Sequence, residues 1–225
     1  MSSTGVFRRL YAIGDIHGYY VEFLDVLDAV FEDGYSGRTD QLIFLGNYVG
    51  QGPDSVRVVD MVIRLQGAGV IALRGNHEQM MIDAYKAGRG SGTWEVSGGH
   101  ATTMSFGNTS LRVPEFAITW ARGLSLTASI GDFDFVHAGF LPVSNHMLNT
   151  SDEDKVWIRE PFVSSSYNFG KIIVHGHTAV TRPVVRSNRI GIDTVLTTGR
   201  LTAVCLEQGK GPRFISVELG EVAER

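Results

Sequence analysis

Cysteine is almost absent from this chain, which has one cysteine in 225 residues. Cys205 alone excludes an internal disulfide, and its apolar setting in residues 201–206 is typical of a buried thiol on a strand. Long apolar runs are missing as well. None approaches the roughly 18–20 residues that cross a bilayer, and no signal-peptide stretch follows residues 1–4. We therefore expect a cytoplasmic protein with no membrane partner.

Charge of one sign is not concentrated anywhere in the sequence. The formal net charge is −4 and there is no run of Lys and Arg, which argues against nucleic acid as a partner. Hydrophobic residues make up 43% and charged residues 20% of the chain, as in ordinary globular proteins with a substantial core. We find no internal repeat, low-complexity tract or convincing linker, and expect residues 1–225 to form one domain.

Short apolar segments alternate with amphipathic segments in the first part of the chain. The predicted strands are residues 8–13, 41–45 and 70–73. Helical spacing of apolar residues predicts helices at 21–31, at 53–65 with Pro53 in the first turn, and at 79–84. This alternation predicts a parallel sheet, in which the carboxyl ends of the strands lie at one edge. Ligands gather at that edge in such sheets.

The second part of the chain is richer in strands. A Gly- and Ser-rich beginning predicts a flexible loop and a short helical cap in residues 87–112, and a helix is predicted at 113–120. Six further strands are predicted at 125–128, 133–137, 171–174, 189–192, 201–206 and 214–217. This order of elements indicates an α/β fold.

Side chains with metal-binding donors follow several of these strands. They share hard oxygen or imidazole donors and are Asp15, His17, Asn76, His137 and His177. Asp15 and His17 are two residues apart at a strand exit, so both can turn toward one metal, while Asn76 can offer its amide oxygen to another. A single histidine after a strand is usually an ordinary loop residue, and His100 and His146 are interpreted in that way. The set as a whole predicts a centre for two divalent ions.

Six motifs occur in one order along almost the whole chain. They are residues 14–18 (GDIHG), 46–52 (GNYVGQG), 73–78 (LRGNHE), 136–139 (VHAG), 157–160 (WIRE) and 175–178 (HGHT). In these motifs the chain resembles the metallophosphoesterase (calcineurin-like) superfamily, particularly the small bacterial and phage-type serine/threonine phosphatases of its phosphoprotein-phosphatase branch. The resemblance implies a four-layer α/β/β/α sandwich that hydrolyses phosphomonoesters by attack of a metal-bound hydroxide. The same branch includes symmetrical diadenosine-tetraphosphate hydrolases.

The resemblance also implies which side chains bind the metals. The matching positions are Asp15, His17, Asn47, Asn76, His137 and His177. Asp15 and His17 would bind one divalent ion and the three later residues the other, with Asn47 at the bridging position between them. Manganese is the expected metal, with iron or zinc as alternatives.

Further roles concern the phosphate group. By the same resemblance His77 would protonate the leaving alkoxide, because an imidazole titrates near neutral pH. Arg159 would hold the phosphate oxygens as a planar fork, with Asn76 and Gln51 at the same group. His175 would support the ligands without binding a metal.

The middle motif departs from the family pattern at three positions. The chain has Asn47, Gly50 and Gln51 where the family has a bridging Asp, an Asp that orients the catalytic histidine and a phosphate-binding Arg. An amide carries no charge to bridge two cations, Gly50 cannot hydrogen-bond His77, and Gln51 removes a cationic contact. We therefore expect metal occupancy and activity to be reduced.

Nearby carboxylates do not obviously compensate for these losses. Asp54 is interpreted as a helix-capping residue, and Asp132, Asp134 and Asp193 have no supported role. Three functions stay open. The first is a metal-dependent phosphatase acting on a phosphorylated protein or a small phosphoester. The second is a non-catalytic module that binds phosphate or phosphoprotein, and the third is a dinucleoside-polyphosphate hydrolase.

Overall fold

The computed structural model describes residues 7–87, 92–107 and 113–220, and its framework is a pair of five-stranded sheets. The first sheet consists, in spatial order, of β10 (Arg213–Glu218), β9 (Arg200–Glu207), β1 (Arg9–Ile13), β2 (Asp40–Phe44) and β3 (Ile71–Ala72). The second consists of β4 (Thr127–Ile130), β5 (Phe133–Val136), β6 (Ile172–His175), β8 (Arg189–Gly191) and β7 (Val184–Val185). Strands β1, β2 and β3 are parallel, as are β5, β6 and β8, and the other pairs are antiparallel.

The described helices differ widely in length. They are α1 (Tyr20–Glu32), α2 (Ser55–Gly67), α3 (Asn76–Lys86), α4 (Gly92–Trp94), α5 (His100–Ser105), α6 (Glu115–Gly123), α7 (His146–Asn149), α8 (Asp152–Trp157) and α9 (Val195–Thr198). A kinked segment, Glu95–Gly99, joins α4 to α5, with non-helical backbone at Ser97 and Gly98. No helix in the described ranges is long and apolar enough to span a membrane.

Alternation of side chains along the strands produces the layers. In β1, Ala12 packs with residues of the second sheet, whereas Tyr11 and Ile13 pack against α1 and α2. Successive side chains of a strand point to opposite faces, so a strand buried on both faces is apolar throughout. The core between the sheets includes Phe135 and Val174 from the second sheet. The four-layer α/β/β/α prediction is confirmed, and the shared core supports the expectation of one domain, which stays a prediction.

The starts of three helices differ by two or more residues from the sequence-based expectation. Helix α6 begins at Glu115, two residues after its predicted start. Helix α3 begins at Asn76, three residues before the predicted start, so that Asn76 and His77 lie in its first turn. Helix α2 begins at Ser55, and Pro53 therefore precedes the helix instead of lying in its first turn. Asp54 occupies the N-cap position, but its carboxylate pairs with Arg57 at 3.1 Å and makes no capping hydrogen bond, so its capping role was wrong.

Three smaller predictions have mixed outcomes. Cys205 is a buried thiol on β9, as expected. Neither His100 nor His146 is a loop residue, since His100 is the exposed first residue of α5. His146 is buried on α7, with its Nε2 2.9 Å from Asp134, because the buried strand carboxylate needs a partner. The short helical cap is present as α4 and α5, but residues 88–91 and 108–112 of the predicted loop lie outside the described residues.

Candidate metal and phosphate site

The candidate ligands lie beyond the carboxyl ends of β1, β2, β5 and β6 and at the start of α3. Three of them have a left-handed backbone, with φ of 53° at His17, 56° at Asn47 and 57° at His177. This conformation is uncommon for residues other than Gly and persists only where surrounding contacts enforce it. One such contact is visible, because the Asn47 carbonyl accepts the backbone N–H groups of Ile16 at 3.0 Å and His17 at 2.7 Å. The exits of β1 and β2 are thus tied together.

Asn76, His137 and His177 bring three acceptor atoms to one point. His137 Nε2 lies 2.9 Å and His177 Nδ1 lies 3.2 Å from Asn76 Oδ1. The far nitrogen of each ring faces a backbone carbonyl, at 2.8 Å from Leu45 O for His137 Nδ1 and at 3.1 Å from Trp157 O for His177 Nε2. A carbonyl only accepts, so the far nitrogens carry the hydrogens and the near nitrogens present lone pairs.

The protonation of these two rings leaves their lone pairs available. Burial lowers the pKa of His137 well below its usual value and that of His177 to about 4, so both rings are neutral at pH 7. Lone pairs from two nitrogens and one oxygen then converge with no hydrogen between the rings and the amide oxygen. Such an arrangement is repulsive unless a cation lies between the two nitrogens and the oxygen. Two imidazole nitrogens and an amide oxygen are suitable ligand atoms for a divalent ion such as manganese or zinc. These three residues fit a metal.

Asp15 is enclosed by hydrogen-bond donors on both of its oxygens. Oδ1 accepts the backbone N–H of His177 at 3.3 Å, and Oδ2 accepts the Asn47 side-chain amide at 2.9 Å. Burial, followed by the nearby charge of Asp193, raises the pKa of Asp15 well above its usual value. His17 Nε2 lies 3.8 Å from Asp15 Oδ2, which is too far for a hydrogen bond.

The Asn47 amide lies between these two groups. Its Nδ2 donates to Asp15 Oδ2 at 2.9 Å and to Asn76 Oδ1 at 3.1 Å, while its Oδ1 accepts the backbone N–H of His77 at 3.0 Å. An NH₂ group that faces both ligand oxygens cannot coordinate a cation there. Across the described ranges, no three His, Cys, Asp or Glu side chains are grouped so that they could hold a metal. These residues therefore do not provide a ligand that could bridge two metal ions.

His17 and His77 pack against each other beside Gly50. Their rings meet edge to face, with centroids 4.5 Å apart and an interplanar angle of 77°. Both Nδ1 atoms are buried without a hydrogen-bond partner in the part of the chain that the structure describes. A Cβ at Gly50 would lie 2.6 Å from His17 Nδ1 and 3.0 Å from His77 Nδ1. The missing side chain at position 50 thus leaves two imidazole nitrogens unpaired, and burial lowers the pKa of His77 to about 4.

Glu78 is a residue of this site that the sequence interpretation missed. It is fully buried, and its carboxylate accepts four backbone N–H groups, from Tyr48 at 2.8 Å, Val49 at 3.2 Å, Asn47 at 2.9 Å and Gly75 at 3.0 Å. These hydrogen bonds oppose the effect of burial, which raises its pKa. A glutamate three residues after Gly75 matches capping-box spacing, and that was the available signal.

Asp193 adds another buried carboxylate close to Asp15. It is 3% exposed, and its Oδ1 has no hydrogen-bond partner among the described residues. Burial raises its pKa to about 6, and Arg159 opposes the shift. Asp132 and Asp134 do not join the site. Asp132 is exposed, and Asp134 pairs with His146, away from the ligands.

Two of the three predicted phosphate contacts lie at the surface, whereas Asn76 is buried. Arg159 and Gln51 are exposed, and Arg159 forms no hydrogen bond or ion pair with the described residues. Arg159 is nevertheless close enough to influence the pKa of both His177 and Asp193. His175 is buried, with Nδ1 3.0 Å from the Gly176 carbonyl and its ring against Phe162. Its Nε2 is buried without a hydrogen-bond partner among the described residues, and its supporting role stays a prediction.

A sequence model of calcineurin-like phosphoesterases matches residues 8–204. The chain belongs to the calcineurin-like phosphoesterase family. This is a family of phosphoric-ester hydrolases that use a dimetal centre, and the predicted resemblance is thereby confirmed. The assignment of individual ligand residues within such a centre stays a prediction.

Curated relatives include serine/threonine phosphatases and symmetrical tetraphosphatases. Serine/threonine-protein phosphatase 2 of Salmonella typhimurium is 26% identical over 202 residues, which are 85% of this chain and 89% of that protein. The symmetrical bis(5'-nucleosyl)-tetraphosphatase of Aromatoleum aromaticum is 33% identical over 135 residues, which are 59% of this chain and 45% of that protein. The chain thus spans less than half the length of the tetraphosphatase. A crystal structure of a proposed diadenosine tetraphosphatase, 22% identical, superposes with a TM-score of 0.74 and covers 96% of each chain, which shows the shared fold.

Proposed function

We propose that this protein is a metal-dependent phosphomonoesterase of the serine/threonine phosphatase type, with activity reduced by its middle motif. The observation that carries the proposal is the convergence of donor atoms from Asn76, His137 and His177 directly beside His77 in the first turn of α3. A divalent cation supplies electrostatic stabilisation of the charge that develops on a phosphoryl oxygen. A cation site and a buried imidazole at one helix N-terminus form a suitable place for a phosphate.

The chain's own residues would act on the phosphate in two ways. Arg159, exposed and unpaired with any described residue, is available to donate to phosphate oxygens and can move to them freely. His77 would donate a proton to the leaving oxygen. Its pKa of about 4 makes it neutral at pH 7, but a phosphate dianion beside the ring favours the imidazolium. Because Gly50 leaves Nδ1 unpaired, the orientation of His77 is poorly fixed, and we propose a low rate for that reason.

Coverage of the relatives supports a phosphoprotein over a dinucleotide as substrate. The match to the Salmonella phosphatase extends over almost all of both chains, whereas more than half of the Aromatoleum tetraphosphatase has no counterpart here. The solved structure of a proposed diadenosine tetraphosphatase matches over almost its full length, but at 22% identity that match shows the fold alone. We propose residues 87–92 and 167–171 as segments that shape this choice. The proposed metal is manganese, and the proposed location is the cytoplasm.

The test is turnover by the purified chain supplied with manganese. We expect slow hydrolysis of p-nitrophenyl phosphate and of a phosphoserine peptide, and faster turnover of either than of diadenosine tetraphosphate. His77→Ala should lower the rate at least a hundredfold if His77 donates the proton, a contribution typical of general acids. His100→Ala, on the exposed first residue of α5, is the matched control and should leave the rate unchanged. A rate for the wild type no greater than that of manganese alone would refute the proposal.

A non-catalytic phosphate-binding module is the second candidate, and the Asn47 geometry favours it. If that candidate is correct, the protein binds a phosphopeptide without turnover, and Arg159→Ala weakens binding about tenfold or more by removing a charge-assisted contact. Arg38→Ala is the control, since Arg38 is exposed and precedes β2, at the opposite edge of the sheet from the site. Dinucleoside-polyphosphate hydrolysis is the third candidate and would be recognised by preferential turnover of diadenosine tetraphosphate.

A further inference from the structure

The two sides of the candidate centre differ in how far hydrogen-bond donors face their acceptor atoms. On one side, His137 Nε2 and His177 Nδ1 direct lone pairs at Asn76 Oδ1, because the far nitrogens of both rings donate to carbonyls. On the other side, both oxygens of Asp15 already accept N–H groups, from His177 and Asn47. One hydrogen does reach Asn76 Oδ1, from Asn47 Nδ2 at 3.1 Å, but among the described residues none faces His137 Nε2 or His177 Nδ1. Buried acceptor atoms that no hydrogen reaches call for a cation, whereas a buried carboxylate with its donors in place does not.

The orientation of the Asn47 amide is fixed by two independent contacts. With Nδ2 toward Asp15 and Asn76, its two amide hydrogens each meet an oxygen, and Oδ1 meets the His77 N–H. A flipped amide would place an oxygen against both ligand oxygens and an NH₂ group against the His77 N–H. Every contact would then be repulsive, so the hydrogen-bond network permits only the observed orientation.

The backbone prevents Asn47 from moving out of this position. Its N–H donates to Glu78 at 2.9 Å, and its carbonyl accepts from Ile16 and His17. A Cβ at Gly75 would collide with the Asn47 side chain, which shows how closely the α3 N-terminus encloses the amide. The amide group is therefore a fixed part of the site, located between the oxygens of Asp15 and Asn76.

We propose that the centre takes a single divalent cation, held by Asn76, His137 and His177, and that the Asn47 amide hydrogens occupy the place of a second cation by linking Asp15 to Asn76. The chain would then be a one-metal variant within a family of two-metal hydrolases. This inference concerns binding and does not depend on turnover, so a protein that binds one ion without hydrolysing phosphoesters refutes only the proposed function.

The experiment is equilibrium dialysis of the whole protein against manganese, followed by elemental analysis and electron paramagnetic resonance. We expect one manganese ion per wild-type chain and the spectrum of an isolated ion, without the exchange coupling of a pair. His177→Ala should weaken manganese binding at least tenfold, because it removes one of three protein ligands. Asn47→Asp should bind two ions and show coupling, since its new carboxylate oxygen replaces the NH₂ group.

Asn145→Asp is the matched control, because Asn145 is exposed and its side chain makes no capping hydrogen bond to α7. It adds the same charge outside the site and should bind one ion. Two ions in the wild type would overturn the proposal, as would none. A folded Asn47→Asp variant that still binds one ion would show that the amide does not exclude the second cation. If that variant does not fold, the wild-type stoichiometry and the His177→Ala affinity decide the matter.

Discussion

The Glu78 carboxylate accepts the backbone N–H of Asn47 at 2.9 Å, across 31 positions of sequence. That bond is to Oε2, and Oε1 accepts the N–H groups of both Tyr48 and Val49, so one side chain in the first turn of α3 holds the whole exit of β2. Four hydrogen bonds to one charged, fully buried group are a strong local constraint. Glu78 thereby fixes where Asn47 points, although Glu78 is not itself a candidate ligand.

Replacing Glu78 with Gln should destabilise the protein and loosen the site. One carboxylate oxygen becomes an NH₂ group, which leaves two buried N–H groups facing a donor. Unpaired buried groups of this kind cost about 1–3 kcal/mol each, so we expect a loss of about 3 kcal/mol or more in the free energy of unfolding. Urea denaturation measures it. Glu115→Gln, at an exposed first-turn position of α6, should change stability by less than about 0.5 kcal/mol. Equal effects of the two substitutions would contradict the role given to Glu78.

Restoring an aspartate at position 50 alone should harm the protein. Gly50 has φ of +149°, which side chains rarely adopt, and a Cβ there would lie 2.6 Å from the buried ring of His17. We expect Gly50→Asp to lose about 1–3 kcal/mol of stability, as strained backbone positions do. Gly211→Asp is the control, because a Cβ at Gly211 meets nothing within 4 Å. Thermal unfolding distinguishes the two, and a Gly50→Asp variant as stable as the wild type would show that the site relaxes easily.

Asp193 should make stability depend on pH in the metal-free protein. Its pKa is about 6 when folded, above the value of about 3.9 in an unfolded chain. The folded state therefore binds the proton first, and this contribution is complete below about pH 4 and lost as pH rises through 6. Relative to Asp193→Asn, the free energy of unfolding of the wild type should fall by at most about 3 kcal/mol between pH 4 and pH 7. Urea titrations in chelator measure the difference. Asp132→Asn, at an exposed turn, should show no such trend. If the difference in unfolding free energy between the wild type and Asp193→Asn does not change with pH, the raised pKa of Asp193 is refuted.

Much of the fold was predictable because its strands carry a local signal. The apolar runs before GDIHG and GNYVGQG mark β1 and β2, and both faces of these strands are buried. The start of α3 was missed because Gly75, Asn76 and His77 are weak helix formers. In the structure the first turn is stabilised by Glu78 and by Asn47 Oδ1, which accepts the His77 N–H. The Glu78 contact to Gly75 is local, but the Asn47 contact joins segments 30 positions apart, and such a tertiary contact can override local propensity.

The composition of the site was more predictable than its connections. Sequence motifs identified Asp15 and Asn76 as candidate ligands, but the direction of the Asn47 amide depends on both of them at once. Asp193 lies near Asp15 because β8 of the second sheet ends near β1 of the first. No short sequence pattern predicts that these two strands end close together. Pairings between distant segments are set by how the sheets pack, and a single sequence does not contain that information in readable form.

The central claim is that the Asn47 amide links Asp15 to Asn76 in place of a cation, and thermal unfolding of wild type and Asn47→Asp tests it most directly. In chelator, the variant should unfold several degrees below the wild type, because two buried carboxylates then face each other without a counter-ion. Saturating manganese should raise the variant's Tm more than the wild type's, since about 2.7 kcal/mol is gained per site at a hundredfold excess over Kd. A variant as stable as the wild type in chelator, with the same rise in manganese, would contradict the claim.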